Sequence, residues 1–277
     1  MQKILVTTDF SANSKAGLRF AIQLASQHKY ELTFFHSYYL MKPTSWSEAT
    51  FSSYEKGETK KIQDQLKHFI DSVYKSMGKA AKSIKSVINS SVFTDSNIRE
   101  YAAQNKFNFI CISTRGAGKI KKMFGTNTSN LINQSDVPVI AVPSSYHAVK
   151  ITSILYASDL AFLEKEIKQV TDFAKPLKAK VELLHFNSPL EIISDSKIIE
   201  SAIKKFSKYD IKLHIEKPNP VQSLISNLES AIKKSKPSMM IMFTQQNKTF
   251  FEKIFLASKS AEYPFQAKVP LLVFNKA

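Results

Sequence analysis

Apolar and polar positions along this chain alternate in two periods, and each change of period marks an element. Short apolar runs bounded by polar residues predict strands near 3–8, 31–37, 84–90, 108–113 and 138–142. Between them, apolar residues at helical spacing predict helices near 13–27, 56–77, 96–105 and 126–135. The second half follows the same plan. Its strands are expected near 152–157, 180–186, 210–216, 238–243 and 269–274, and its helices near 162–175, 194–207, 221–234 and 256–263. Phe109 to Ile112 and Met239 to Phe243 are apolar without interruption, as central strands covered on both faces require.

Strands alternating with helices predict parallel sheets with crossover helices. Five strands per half predict an α/β protein of two tandem, doubly wound, flavodoxin-like sheets. Ligands bind such sheets at the carboxyl ends of the strands, where the strand order reverses. The first strand runs out at Asp9 and the fourth at Ser113, so both border the expected crevice.

The chain also repeats itself. Lys3 to Phe10 matches Thr152 to Leu160, and Glu31 to Ser37 matches Val181 to Phe186. Asp9 and Asp159 stand 150 positions apart, and His36 and His185 stand 149 apart. Both halves close alike, on Val137-Pro-Val-Ile-Ala-Val142 and Val269-Pro-Leu-Leu-Val-Phe274. Two domains of one fold are expected, 1–146 and 147–277, with the border near Pro143 to Val149. The stretch from Tyr39 to Gly57 carries the only tryptophan, Trp46, and reads as a long connection. Its place is over the crevice as a lid, or at an interface.

Composition narrows the classes of function. The single cysteine, Cys111, excludes a disulfide framework and sits in an apolar run, as a buried small hydrophobe would. Met1 to Phe10 enter a strand directly, so no signal peptide is expected, and no apolar run approaches the ~20 residues a membrane span needs, so a cytoplasmic location is expected. The formal charge is +16, almost all of it from lysine; the arginines are Arg19, Arg99 and Arg115. No arginine fork with interleaved aromatics accompanies that charge, so nucleic acid is not the expected partner.

The candidate chemistry lies after the fourth strand. Only 6 glycines occur in 277 residues, and Gly116, Gly118 and Gly125 fall in the loop between Ser113 and Thr126. Glycines admit close backbone approach, and a helix opening at Gly125-Thr-Asn-Thr-Ser129 offers free N–H donors to an anion.

The whole chain resembles the universal stress protein family in a tandem, two-domain form. The resemblance rests on Thr8-Asp-Phe-Ser11 after the first strand, His36-Ser37 closing the second, the glycine loop, and Val137 to Val142. The family's nucleotide signature reads Gly, two residues, Gly, nine residues, Gly, then Ser or Thr. Here Ser113 holds the first position, Gly116 the second and Gly125-Thr126 the last, with only the eight residues 117–124 between.

The resemblance implies sites residue by residue. Thr7 and Asp9, with the backbone around Ser37, would lie near an adenine and its ribose. Ile112 and Ser113 would line the floor. Gly116 and Gly118 would run beneath the phosphates, and the N–H groups of Gly125, Thr126 and Asn127 would hold them. Arg115 and Lys119 are candidates for neutralising phosphate, by charge and position alone. The implied ligand is ATP or AMP, with or without Mg²⁺, and the contracted loop bears harder on a triphosphate. The implied role is regulatory.

Bland readings stand beside these. Asp9 serves equally as a brace for the first helix, with Ser11 a further cap candidate. His36 and His185, shared by both halves, read as structural. In the second half the counterpart of the signature is Thr244 to Asn247, nine residues, then Ala257-Ser258, with no glycine, so that half reads as degenerate. The last strands of such domains associate, which predicts pairing within the chain, or a homodimer.

No catalytic constellation is visible. The P-loop pattern fails because Ile120 follows Gly118-Lys119. A receiver domain needs an aspartate where the third strand ends in Asn89-Ser-Ser91. Two alternatives therefore accompany the nucleotide-binding reading: an interaction module binding no nucleotide, and a weak Mg²⁺-dependent ATPase.

Overall fold

The structure is a computed structural model that describes residues 1–81, 84–114, 126–187, 196–219, 221–244 and 269–275. The expected helix near 256–263 lies outside these residues.

The first half runs β1 (Gln2–Thr7), α1 (Lys15–Gln27), β2 (Tyr30–Tyr38), α2 (Glu48–Ser76), β3 (Lys85–Ser90), α3 (Thr94–Gln104), β4 (Phe109–Ser113), α4 (Thr126–Gln134) and β5 (Val139–Val142). The second runs β6 (Ser153–Ala157), α5 (Leu163–Leu177), β7 (Lys180–Phe186), α6 (Ser196–Phe206), β8 (Ile211–Glu216), α7 (Leu224–Ser235), β9 (Met239–Phe243) and β10 (Leu271–Phe274). The strand order is β3-β2-β1-β4-β5-β10-β9-β6-β7-β8 in one sheet. Every strand pair is parallel except β5 with β10. Strand order reverses between β1 and β4, and again between β6 and β9.

The period of two in the strands explains the layers. Ile4 and Val6 of β1 join Leu18 and Phe20 of α1 and Leu66 and Ile70 of α2 in one core. Leu5, between them, joins Ile98 of α3 and Leu131 of α4 in the other. Helices therefore cover both faces, which is why the central strands lack polar alternation. At the centre, Leu271, Leu272 and Val273 pair with Ala141, Ile140 and Val139. Phe109 of β4 touches rings from both halves: Tyr30 at 6.5 Å, Phe173 at 5.6 Å and Phe274 at 6.5 Å between centroids. Gln27 of α1 brackets the segment between the halves, accepting from Ile151 N at 2.7 Å and donating to Ile151 O at 3.0 Å.

One element differs from expectation. Helix α2 starts at Glu48, so the connection after β2 is confined to 39–47 and residues 48–57 belong to the helix. Ser47 caps it, its hydroxyl accepting from Thr50 N at 3.1 Å, and Glu48 faces the helix dipole. Trp46 packs edge-on against Tyr54, 5.1 Å between centroids. Gly57, which read as the end of a loop, sits inside the helix with open space where a Cβ would be. Among the described residues, no helix is long and apolar enough to cross a membrane.

Because Phe109 is buried among rings from both halves, Phe109→Ala is expected to cost about 3–5 kcal/mol. Denaturant unfolding followed by tryptophan fluorescence and by far-UV circular dichroism checks it; a loss below 1 kcal/mol contradicts the shared core.

Candidate functional site

The site is built on the turn that ends β1. Thr8 N donates to Phe35 O at 3.0 Å, and Phe10 then takes a left-handed conformation at φ 62°. Three side chains hold that turn. Phe10 N donates to Thr8 Oγ1 at 3.1 Å, Ser11 N donates to Asp9 Oδ1 at 3.0 Å, and His36 Nδ1 lies 2.8 Å from Thr8 O. The Phe10 ring lies 4.1 Å from the His36 ring and 5.7 Å from Phe69. This packing offsets the roughly 1–2 kcal/mol that a left-handed L-residue costs.

The second half repeats the device. Leu160 has φ 65°, Leu160 N donates to Ser158 Oγ at 3.0 Å, Ala161 N to Asp159 Oδ1 at 3.0 Å, and His185 Nδ1 lies 3.0 Å from Ser158 O. Histidine and aspartate are thus common to both halves because both halves make the same turn.

Ser113, at the end of β4, locks α1 in place. Its hydroxyl accepts from Gly17 N at 2.6 Å and donates to Ser14 O at 3.0 Å. Gly17 N belongs to the first turn of α1, whose amides lack partners within the helix. A Cβ on Gly17 would lie 2.8 Å from Ser113 Oγ and 3.2 Å from Ser113 N, so only glycine admits this approach. Ser14, the N-cap, bonds elsewhere: its Oγ lies 2.8 Å from Thr8 Oγ1 and 2.8 Å from Ser11 O.

Above these elements lies a cleft of 310 Å³ between the carboxyl ends of β1 and β4. Phe35, Ile98 and Ile112 supply apolar surface. Thr7, Thr8 and Asp9 come from the end of β1, Ser11, Asn13 and Ser14 from the approach to α1. Ser37 comes from β2, Thr94 from α3, Ser113 and Thr114 from the end of β4, and Asn127 and Thr128 from α4. Helix α3 holds α4 at its middle and its carboxyl end: Asn130 Nδ2 donates to Asp95 Oδ2 at 2.9 Å, and Arg99 Nη1 donates to Gln134 O at 3.2 Å. Among the described lining residues Asp9 is the one charged side chain. A carboxylate there repels phosphate, so the anionic end of a ligand belongs toward α4, whose first amides are free within the helix.

Comparison with known proteins accords with this architecture. The Universal stress protein family model matches residues 1–143, more than half of the chain. The chain belongs to the universal stress protein family. Among solved structures, a universal stress protein from Archaeoglobus fulgidus DSM 4304 is similar at 17% identity and TM-score 0.70, over 99% of this chain and 98% of its own. A putative universal stress protein from Pseudomonas aeruginosa UCBPP-PA14 is similar at 14% identity and TM-score 0.56, over 99% of this chain and 93% of its own. A universal stress protein family protein from Arabidopsis thaliana, solved with AMP bound, aligns with 52% of this chain and 92% of its own at 13% identity and TM-score 0.35. No curated protein matches.

Set against the family signature, the expected residues divide three ways. Thr7, Asp9, Ser37, Ile112, Ser113 and Asn127 converge on the cleft. Thr126 opens α4. Arg115, Gly116, Gly118, Lys119 and Gly125 lie outside the described residues. Four of the converging side chains already have internal partners: Thr7 Oγ1 reaches Cys111 O at 3.4 Å, Asp9 Oδ1 accepts from Ser11 N, Ser37 Oγ accepts from Asn97 Nδ2, and the Ser113 hydroxyl bonds α1.

Thr8, Ser11, Asn13, Ser14, Phe35, Thr94, Ile98, Thr114 and Thr128 also line the cleft and were not among the expected site residues. Their signals in the sequence are those of caps and core, which is what most of them also are. The pairing registers also move one correspondence. Ser113 pairs with Val142, and Phe243 pairs with Phe274, so the counterpart of Ser113 is Phe243; Thr244 answers to Thr114.

Burial opposes the ionised form of Asp9, but hydrogen bonds from the side chain and backbone of Ser11, its own N–H and Ser14 outweigh it and hold the carboxyl below its ordinary range. Burial depresses His36 against the opposing Thr8 carbonyl and Asp9 charge. His36 is then neutral at pH 7, with Nδ1 donating to Thr8 O. Below its ordinary value near 6.5 the unfolded chain binds a proton that the folded protein resists. Stability from His36 is therefore complete above pH 6.5 and is lost as pH falls through the depressed folded value. Unfolding midpoints measured from pH 7.5 to pH 5 should fall, and His36→Gln should flatten part of that slope; an unchanged slope contradicts the assignment.

Ser113→Ala should cost about 1–2 kcal/mol, because it strips the partner from Gly17 N. Thermal unfolding measures this, and an unchanged midpoint argues against the lock.

Proposed function

We propose that this chain binds one adenine nucleotide, ATP or AMP, in the β1–β5 half, and that it acts as a regulatory binding protein in the stress response of the cytoplasm. The observation that carries the reading is the cleft at the β1–β4 reversal. It joins an apolar floor, a polar rim and the first turn of α4 in the half that matches the family. Its 310 Å³ sits at the lower end of the roughly 300–1,000 Å³ typical of small-molecule sites. In this reading, residues 1–146 form the nucleotide-competent domain and 147–277 a degenerate partner.

The base and ribose lie over Phe35, Ile98 and Ile112, beside Asp9 and Ser37. The phosphates run toward Thr126 and Asn127, with Gly116, Gly118 and Gly125 allowing close approach and Arg115 and Lys119 supplying charge. Ser113 acts by fixing α1. Among the described residues no group of three His, Cys, Asp or Glu forms a metal site, so Mg²⁺ would arrive with the phosphates. Among the described lining residues Asp9 is the one carboxylate, and no base is held against a nucleophile.

Nucleotide released on denaturing the purified protein, and titration of the emptied protein with ATP and AMP, test the reading. Close to one equivalent per chain is expected, and Gly116→Val should abolish it while the thermal midpoint stays. No binding at millimolar nucleotide overturns the reading in favour of an interaction module. Phosphate release that requires Mg²⁺ would favour the ATPase.

A further inference from the structure

One wall of the cleft holds a polar side chain whose orientation is fixed from behind. Asn97 of α3 is 7% exposed and carries three hydrogen bonds. Its Nδ2 donates to Ser37 Oγ at 2.7 Å and to Asn89 O at 3.2 Å, and its Oδ1 accepts from Asn89 Nδ2 at 2.9 Å. The backbone carbonyl of Asn89 can only accept, so the amide must present its NH₂ to that side. Both protons of that NH₂ are then committed, one of them to Ser37 Oγ. Ser37 is the acceptor in that bond and keeps its own proton. Among the described residues no acceptor takes it, and Ser37 lines the cleft.

We propose that Asn97 is a positioning residue that fixes the Ser37 hydroxyl as a hydrogen-bond donor into the cleft, where it selects a ligand presenting an acceptor, namely a ring nitrogen of adenine. A hydroxyl with no partner can donate or accept equally; here the Asn97 amide takes one lone pair of Ser37 Oγ, which turns the unpartnered proton away from Asn97 and leaves one further lone pair beside it. Position supports the base over the phosphates. Ser37 lies near the carboxyl end of β2, whereas α4 lies beyond β4, on the other side of β1. The second half makes a useful contrast. Asn227, the counterpart of Asn97, donates to Asn219 O at 3.3 Å and Ser223 O at 3.1 Å, within its own loop. The position of Ser37 is taken there by Phe186, one residue after His185. The buried amide is present in both halves, but the hydroxyl it would orient is present only in the first.

This inference rests on the adenine-nucleotide reading, and the test separates the two. Adenosine, AMP and ATP are titrated calorimetrically into emptied wild-type protein, Ser37→Ala, Ser37→Thr, Asn97→Asp and the Ser37→Ala/Asn97→Asp pair. Ser37→Ala should weaken all three ligands about tenfold, the worth of one hydrogen bond, and Ser37→Thr should retain most of the affinity. Asn97→Asp accepts the serine proton in place of donating to the serine. It should match Ser37→Ala, and the double variant should be no weaker than either single one. If Asn97→Asp does not fold, the two Ser37 variants carry the test. Wild-type affinity in Ser37→Ala, a loss confined to ATP, or additive losses in the double variant overturn the proposal. A wild type that binds none of the three removes the nucleotide reading and this inference with it.

Discussion

At the end of β1 the chain must leave a strand buried on both faces, turn within a few residues, and start α1 with its first amides satisfied. The geometry available to L-residues makes this difficult, and a left-handed Phe10 is the solution taken. Much of the site follows from it. Thr8, His36 and Asp9 are committed to holding the turn, Ser14 bonds back into it, and Ser113 reaches across from β4 to cap Gly17. The cleft lies directly above this network, so its rim is rigid on the α1 side before any ligand arrives. That the same turn recurs around Leu160 identifies it as a requirement of the fold.

A second constraint joins the halves. β5 and β10 are short, and each closes one side of a parallel half-sheet; paired antiparallel, they leave neither as a free edge. The sheet then ends on β3 and β8, where Lys85, Lys212 and Glu216 place charge along the outer strands. His214 contacts Glu182 and Glu216, and Lys234 reaches Glu216. Charge at an open edge discourages pairing with further chains. The two halves thus face each other through their closing strands, with Phe109, Phe173, Phe243 and Phe274 packed at the join.

The halves diverge where chemistry would occur. In the first, Gly17 and Ser113 make a close polar contact beside the cleft. In the second, their counterparts are Ile167 and Phe243, both buried in the apolar core. Beside them, the Tyr156 hydroxyl bonds Ser158 and the buried Glu166. The turn survived in both halves because the fold needs it, whereas the polar contact beside the cleft is found in one.

Element order, the doubly wound sheet and the repeat were legible in the sequence, because burial on both faces writes uninterrupted apolar runs such as Met239 to Phe243 and because equal folds repeat equal turns. The start of α2 was not. Ser47 and Phe51 carried the signal, but Pro43 and Gly57 obscured it, and only the capped helix resolves them. For the site, the sequence determined which strand ends meet: Asp9, Ser37, Ile112, Ser113 and Asn127 converge as topology demands. What each side chain does there was decided by tertiary structure alone. Ser113 bonds Gly17 across 96 residues of chain, and Asn97 orients Ser37 across 60. Hydrogen bonds between residues so far apart leave no period and no spacing in a sequence. They exist only once the sheet has brought their carriers within 3 Å.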